Sequence, residues 1–411
     1  MQPLFKQYLI KNSHELVTPA LVVFPEIIEM NIKQMIKMCS DLLKLRPHVK
    51  TYKMAEVVKL QLNHGIKKFK AATFAESEMV AEAGGQDILL AYHIVGPNIQ
   101  RAVNFVKKYP DVNFMVIADH IESISQLNKA MVEAGETIEV LLDIDTGLHR
   151  TGVEPGDQAF NLYKQIDNSP GVKAGGFHVY DGHLHQSDRK DRAVAVHRAF
   201  QKVSLLRDEL VNAGLKVPRL VCGGTATFPV YAEMNDPFVE YSPGTCIFHD
   251  VGYGTKFPDL HFTPAAVILT RVISLPGQGL VTLDLGCKAV ASDPLMTNRV
   301  VFPQLPDAEL VLQNEEHLVI KTTQASQLKP SNELIGIPWH ICPTTALNKE
   351  VGVVQNNYVQ EFWKVVALDV TVGLPAVPTT WFIGYLSGSS STAMVNLSNH
   401  EPCPQILPED Y

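Results

Sequence analysis

The stretch Arg46-Pro47-His48-Val49-Lys50-Thr51-Tyr52-Lys53 is the first place in the chain where residue types point to chemistry. Read as a β-strand, whose side chains alternate between two faces, it puts Arg46, His48 and Lys50 together. An amine at the end of an inner strand loses water, which lowers its pKa and makes it a nucleophile toward aldehydes, the chemistry of a Schiff-base lysine. The structural alternative is a lysine whose stem is buried while its ammonium reaches solvent.

Five further segments carry candidate groups. Asp143-Ile-Asp145-Thr-Gly-Leu-His-Arg150 ends an apolar run with acids and a glycine and then presents a cation. Cys222-Gly223-Gly224-Thr225 and Ser242-Pro243-Gly244-Thr245 are turns whose backbone N–H groups can approach a phosphate, because glycine lets the chain come close. His178, Tyr180, His183 and His185 follow one another within a short stretch, and near-neutral histidines serve as acid/base groups. In Pro338-Trp339-His340-Ile341-Cys342-Pro343-Thr344, a strand would turn His340 and Cys342 to one side and offer an imidazole and a thiolate to one metal ion. Two protein ligands leave positions for water and substrate, which suits a catalytic ion; the alternative is a packed thiol beside a hydrogen-bonded histidine.

These groups need a scaffold. From about residue 18 to 245, short β-branched runs alternate with segments of helical apolar spacing, the pattern of βα units around a parallel sheet. Eight strands are expected: Thr18-Pro-Ala-Leu-Val-Val-Phe, Arg46–Thr51, and runs opening at Phe69, Asp87, Asn113, Ile138, Val172 and Arg219. Between the first two, Ile28, Ile32, Met35, Ile36, Cys39 and Leu43 recur at helical steps. The expectation is a (β/α)8 TIM-type barrel over 18–255, with reactive groups at the carboxyl ends of its strands. Past residue 256 the helical period fades into strand-like runs between Pro and Gly turns, giving a smaller, mainly antiparallel β domain over 256–370. Residues 1–17 are expected to join that domain, and 371–411 form an extension without an assigned role.

The 411 residues are 46% hydrophobic and 19% charged, enough to bury one large or two moderate cores. A net charge of −8 gives no basic surface for nucleic acid, and no apolar run approaches a membrane span. Lys6, Lys11, His14 and Glu15 interrupt the amino-terminal segment, so it does not read as a secretory signal. Six cysteines spread over such a chain do not form a dense disulfide framework, and a reducing cytoplasm is the expected compartment.

The segment RPHVKTYK resembles the RPHxKTHK motif of D-threonine aldolases and eukaryotic-type D-serine dehydratases, within the fold III (alanine racemase-like) pyridoxal-phosphate enzymes. Tyr52 stands where that group usually has His. The resemblance implies that Lys50 carries pyridoxal 5'-phosphate, that Arg150 reaches its phenolic oxygen and that Tyr180 lies beside it. Gly224, Thr225, Gly244 and Thr245 would hold its phosphate, with Cys246 where Tyr is common. His340 and Cys342 match the group's HxC/HxD motif and imply a divalent metal ion, Zn or Mn. Asn314-Glu315-Glu316-His317 and Asp284-Leu-Gly286-Cys-Lys288 resemble its SEEH and DxGxK segments. Where some aldolases place their base this chain has Gln186, so His183 or His185 takes that role. The implied activity is D-threonine aldolase, with D-serine dehydratase as the alternative; an amino-acid racemase or a non-catalytic cofactor carrier rank below. The implied partners are a small D-amino acid and a second copy of the chain.

Overall fold

Strand β1 (Ala20–Val23) is followed by seven parallel strands hydrogen-bonded in chain order. They are β2 (Lys68–Ala71), β3 (Asp87–His93), β4 (Asn113–Ala118), β5 (Ile138–Asp143), β6 (Val172–Val179), β7 (Leu220–Cys222) and β8 (Val239–Tyr241). The description comes from a computed structural model and covers residues 7–39 and 41–366, all within one compact unit. The segment Leu45–His48 closes the ring. Leu45 bridges to Tyr241 and His48 to Lys70, both in parallel, and the Arg46 and Lys70 N–H groups donate to Tyr241 O and Pro47 O at 2.8 Å each. Pro47 has no N–H to give, so this eighth stave is an irregular one. The architecture is therefore the barrel with a following β domain that the sequence pattern predicts.

One expected strand lies elsewhere. Ala20–Val23 pairs antiparallel with β9 (Ala266–Gly277) and parallel with β15 (Glu350–Gln355), so it belongs to the second sheet. Four consecutive apolar residues suit either environment, and only the partners decide. The barrel thus sits between two strands of the β domain. The other members of that sheet are β10 (Leu280–Leu283), β11 (Val300–Val301), β12 (Glu309–Gln313), β13 (Leu318–Lys321), β14 (Glu333–Pro338) and β16 (Tyr358–Lys364), in the main path β12-β13-β10-β9-β1-β15-β16. The amino-terminal residues pack on it: the Lys11 N–H donates to Asn357 O at 2.7 Å, and the Arg271 guanidinium donates to the Ser13 and Leu16 carbonyls at 2.7 Å each. The proposed extension over 371–411 lies outside the described residues.

Local signals account for the helices. Pro25–Met38 has proline in its first turn and buries Ile28, Ile32 and Met35 along one stripe. Thr73 caps the helix Phe74–Glu82 by accepting from the Glu76 N–H at 3.1 Å, while the Glu76 carboxylate accepts from the Ala72 N–H at 2.7 Å, a variant of the capping box. Helix Ile121–Ala134 ends on Gly135 at φ 71°, the left-handed stop that glycine allows. Inside the barrel, Leu89, Met115, Ile117, Leu141 and Val221 form a buried apolar layer. Below it, at the amino ends of the strands, Arg46 pairs with Asp87 and Glu240 at 2.6 Å each, Lys68 with Glu240 at 2.6 Å, and Arg219 with Glu139. No helix among the described residues is long and apolar enough to cross a membrane.

Candidate active site at the barrel mouth

After Pro47 the chain leaves the barrel wall in a single helical turn, Val49–Thr51. Val49 and Thr51 are buried and Lys50 faces outward into the mouth, so the lysine is presented by this turn rather than by strand alternation. His48 fixes the turn, its Nδ1 accepting from the Lys50 N–H at 3.3 Å. Burial first, then the charges of Lys70 and Lys50, push the His48 imidazole well below its ordinary value. Lys53, the other lysine of the motif, is buried against Glu76 and so is already engaged.

Two cavities, each of about 350 Å³, open on either side of Tyr180. One is lined by Lys50, His48, Lys70, His93, Arg150 and His178. The other is lined by Gly224, Thr225, His185, Asp293, Trp339 and His340. The Arg150 guanidinium lies over the Tyr180 ring at 4.9 Å, and a side chain at Gly224 would touch that ring at 3.5 Å. Tyr180 therefore joins the lysine side of the site to the glycine loop.

That loop fits a phosphate. Thr225 Oγ accepts from the Gly244 and Cys246 N–H groups at 3.1 and 3.3 Å, which fastens the two turns together. The Thr225 and Ala226 N–H groups, on the cavity wall, have no protein acceptor among the described residues. Gly244 packs against His48, where a Cβ would stand 3.1 Å from the histidine Cβ, and Thr245 lies 3.7 Å from the Cys342 thiol. A lysine, an unpaired arginine and an open amide loop within one connected site suit pyridoxal phosphate, whose aldehyde, phenolic oxygen and phosphate need such partners.

The HxC pair is not on a strand. β14 ends at Pro338, His340 caps the short helix Ile341–Ala346 and Cys342 lies in its first turn. The two side chains meet all the same. Burial opposes charge on His340, but hydrogen bonds and charges from Cys342 and Asp293 outweigh it and raise the imidazole to about 9. Burial raises the Cys342 thiol, and His340, Lys50 and Thr51 more than offset it, so its pKa is lowered. Asp293 Oδ2 sits 2.5 Å from His340 Nδ1, the carboxylate support commonly found behind a metal-ligating histidine. The Cys342 thiol is 3.2 Å from Thr51 Oγ, one residue from Lys50.

The histidine cluster divides. His185 lines the cavity of His340 and Tyr180, whereas His183 lines a separate one with Asp145, His149 and Arg198. Other motif residues turn to structural work: Asp284 accepts from Thr18, Thr270 and the Arg271 N–H, and Lys288 pairs at the surface with Glu315 at 2.6 Å and Glu316 at 3.0 Å. Sequence reasoning did not single out His93, Asp119 or Asp143 as a unit. They stand at the ends of β3, β4 and β5, with donor atoms within 4.8 Å of one another, and Asp143 Oδ1 lies 2.7 Å from His178 Nδ1. Burial opposes charge on His93, but Asp119 and Asp143 prevail and raise its pKa. Their shared position at successive strand ends was the available signal.

A closed parallel barrel with a lysine at its mouth, a phosphate-sized amide loop and a following β domain defines the alanine racemase-like class of pyridoxal-phosphate proteins. The chain belongs to that family: the model for the alanine racemase N-terminal domain matches residues 25–251, and that for a putative serine dehydratase domain matches residues 265–354. It is similar to the D-threonine aldolase of Arthrobacter sp, 28% identical over 356 residues, 85% of this chain and 92% of the relative. The 3-hydroxy-D-aspartate aldolase of Paracoccus denitrificans is 27% identical over 375 residues, 87% of this chain and 93% of the relative. Among solved structures, D-threonine aldolase from Filomicrobium marinum superposes with a TM-score of 0.79 at 26% identity, covering 87% of this chain and 97% of that one.

Proposed function

We propose that the protein is a pyridoxal-phosphate and divalent-metal-dependent lyase that cleaves 3-hydroxy D-amino acids of the D-threonine type into glycine and an aldehyde. The observation that carries this reading is the approach of the HxC pair to the lysine, with Cys342 touching Thr51 at 3.2 Å. A metal ion held by His340 and Cys342 would then stand within reach of the 3-hydroxyl of a substrate seated at Lys50.

The bound cofactor supplies an electron sink for the pair released at Cα when the Cα–Cβ bond breaks. Lys50 would anchor it, Arg150 would meet its phenolic oxygen, and Gly224, Thr225, Gly244 and Thr245 would hold its phosphate. In cleavage the 3-hydroxyl loses its proton, the Cβ–O bond becomes a carbonyl, and Cα gains a proton to give glycine. His185, in the cavity of His340, is our candidate for accepting the hydroxyl proton, and Lys50, once displaced, for returning one to Cα. Tyr180 holds the two halves of the site in register.

One observation favours a second reading, D-serine dehydration. A thiol at position 342 is a soft ligand that suits zinc; Lys50 near it would take the α-proton as the 3-hydroxyl leaves, and an ion held by His340 and Cys342 would supply the Lewis acidity for that departure. Product analysis with D-threonine and D-serine, with and without chelator, separates the two. Glycine and acetaldehyde lost on chelation support the aldolase; pyruvate and ammonia from D-serine alone replace it with the dehydratase; and turnover unaffected by metal removal ends both. We further propose a homodimer in the cytoplasm, with mass photometry of the purified protein as the check on assembly.

A further inference from the structure

Four lysine or arginine side chains are buried among the described residues, and three of them are neutralised by a carboxylate. Arg46 has Glu240 and Asp87, Lys53 has Glu76, and Arg192 has Asp259. Lys70 is the exception. It is 2% exposed, makes no hydrogen bond through Nζ and has no carboxylate within ion-pair distance among the described residues; the Tyr180 ring lies 5.8 Å from Nζ, and the buried Asp181 acts on it only from farther off. That distance is at the limit of a cation–π attraction and does not replace a counter-charge.

The lysine is placed there by strand alternation. Lys68 and Lys70 both point into the barrel from β2, one to the salt-bridged ring below the apolar layer and one to the cavity above it. These surroundings are costly for a cation: burial first, then the neighbouring Lys50 charge, only partly offset by Asp181, lowers the Lys70 amine to about 7. A buried ammonium persists where something pairs with it. In this cavity Lys50, Lys70 and Arg150 are all without an ion-pair partner among the described residues. On the reading above, Lys50 is taken by covalent attachment and Arg150 faces the cofactor, and the phosphate goes to the loop across Tyr180. One cation remains over.

We propose that Lys70 is an oxyanion-binding residue of the active site, whose ammonium is completed by a ligand oxygen brought into the cavity beside Lys50. Two oxygens share that chemistry: the phenolic oxygen of the cofactor and the carboxylate of the amino-acid substrate. The inference rests on Lys50 being the cofactor lysine, and its test is arranged so that the two ideas fail separately.

Lys70→Met keeps the length of the side chain and removes the charge. Because it deletes a buried cation with no contact ion pair, the ligand-free variant should fold and melt at or above the wild-type temperature; Lys70→Gln serves as a second variant. Apo-protein is titrated with pyridoxal phosphate and with 3-deoxypyridoxal phosphate, following absorbance. If the oxygen is the cofactor's, the wild type prefers the oxygenated form and the variants lose that preference by about tenfold or more, the worth of one charge-assisted hydrogen bond. If it is the substrate's, cofactor preference is unchanged. The cofactor-loaded variants then bind D-threonine about tenfold or more weaker, while D-threoninol, which lacks the carboxylate, binds as to wild type. Variants that match wild type in both discriminations, or that only lower the melting temperature, overturn the proposal. Failure of wild-type protein to form the visible band of a lysine-bound cofactor would instead overturn the reading of Lys50.

Discussion

The two ends of the barrel treat charge in opposite ways. At the amino ends of the strands Arg46, Lys68 and Arg219 meet Asp87, Glu139 and Glu240, and each cation has a carboxylate. At the carboxyl ends Lys50, Lys70 and Arg150 line one cavity, and none of the three has an ion-pair partner among the described residues, although His93 and His178 on the same wall meet Asp119 and Asp143. The same barrel wall supplies both rings, with an apolar layer of Leu89, Met115, Ile117, Leu141 and Val221 between them. Removing one partner of a buried pair is costly because it strands the other charge, whereas a charge left open is available to a ligand. The lower ring closes the fold and, on the proposal made above, the upper ring is completed by a ligand, which is the division expected of this architecture.

The largest test is at the upper ring. Lys50→Ala should abolish the borohydride-trappable visible band and reduce activity by about a thousandfold or more, with the melting temperature nearly unchanged. Peptide mapping of the trapped wild-type protein should find the adduct on Lys50; an adduct on Lys53 would break the assignment, since Lys53 is committed to Glu76. The matching change in the lower ring is Arg46→Met. It leaves Asp87 and part of Glu240 uncompensated and should cost about 3 kcal/mol in chemical denaturation, while activity per folded molecule persists. A loss of turnover without a loss of stability would erase the contrast.

Smaller effects sharpen it. His340→Ala and Cys342→Ala should each lower activity by about a hundredfold and leave the cofactor band in place, with added Zn or Mn restoring chelated wild type but not the variants. Cys342→Asp should retain part of the activity, because a carboxylate is also a metal ligand. A thiol that only packs predicts the reverse, with Asp worse than Ala on account of a buried unpaired charge.

The smallest is a pH effect of opposite sign at the two ends. Burial opposes ionisation of Glu240, but Arg46 and Lys68 outweigh it and its pKa is lowered. An acid depressed on folding contributes stability above its unfolded value of 4.5, and that stability is lost as pH falls through the folded value. Asp181, beside the upper cavity, is raised by burial to about 6. It binds a proton more tightly when folded, so its effect is destabilising above about 6 and is relieved as pH falls toward 3.8. Urea titrations of the ligand-free protein should show Glu240→Gln flattening the acid loss below pH 4.5 and Asp181→Asn removing the gain between 6 and 4. The same slope in both variants would show that the ends are not electrostatically distinct.

Lys50, Arg150, Tyr180 and the two glycine turns, which the fold gathers at one mouth, could be marked as candidates because each lies in a short local motif, and Asp143 and His178 lay inside segments already marked. Lys70 was not singled out, although Lys-Phe-Lys at 68–70 carries the same two-residue alternation that marks Arg46 and His48. Its meaning appears only when no carboxylate among the described residues, Asp181 included, is seen to come within ion-pair distance of it. His183 and His185 could not be told apart from spacing, since the loop after β6 curls and sends them to different cavities.

The chain by itself determined the alternation of strands and helices, the change to strand-rich sequence after the barrel and the identity of the groups able to do chemistry, because periodicity and turn residues act over a few positions. Tertiary structure decided which sheet took the four apolar residues of β1 and whether His340 and Cys342 met on a strand or a helical turn. It also decided which cations found a partner. Those outcomes depend on contacts between residues as far apart as Thr51 and Cys342, where the pairing energy belongs to the folded arrangement and leaves no local trace in the sequence.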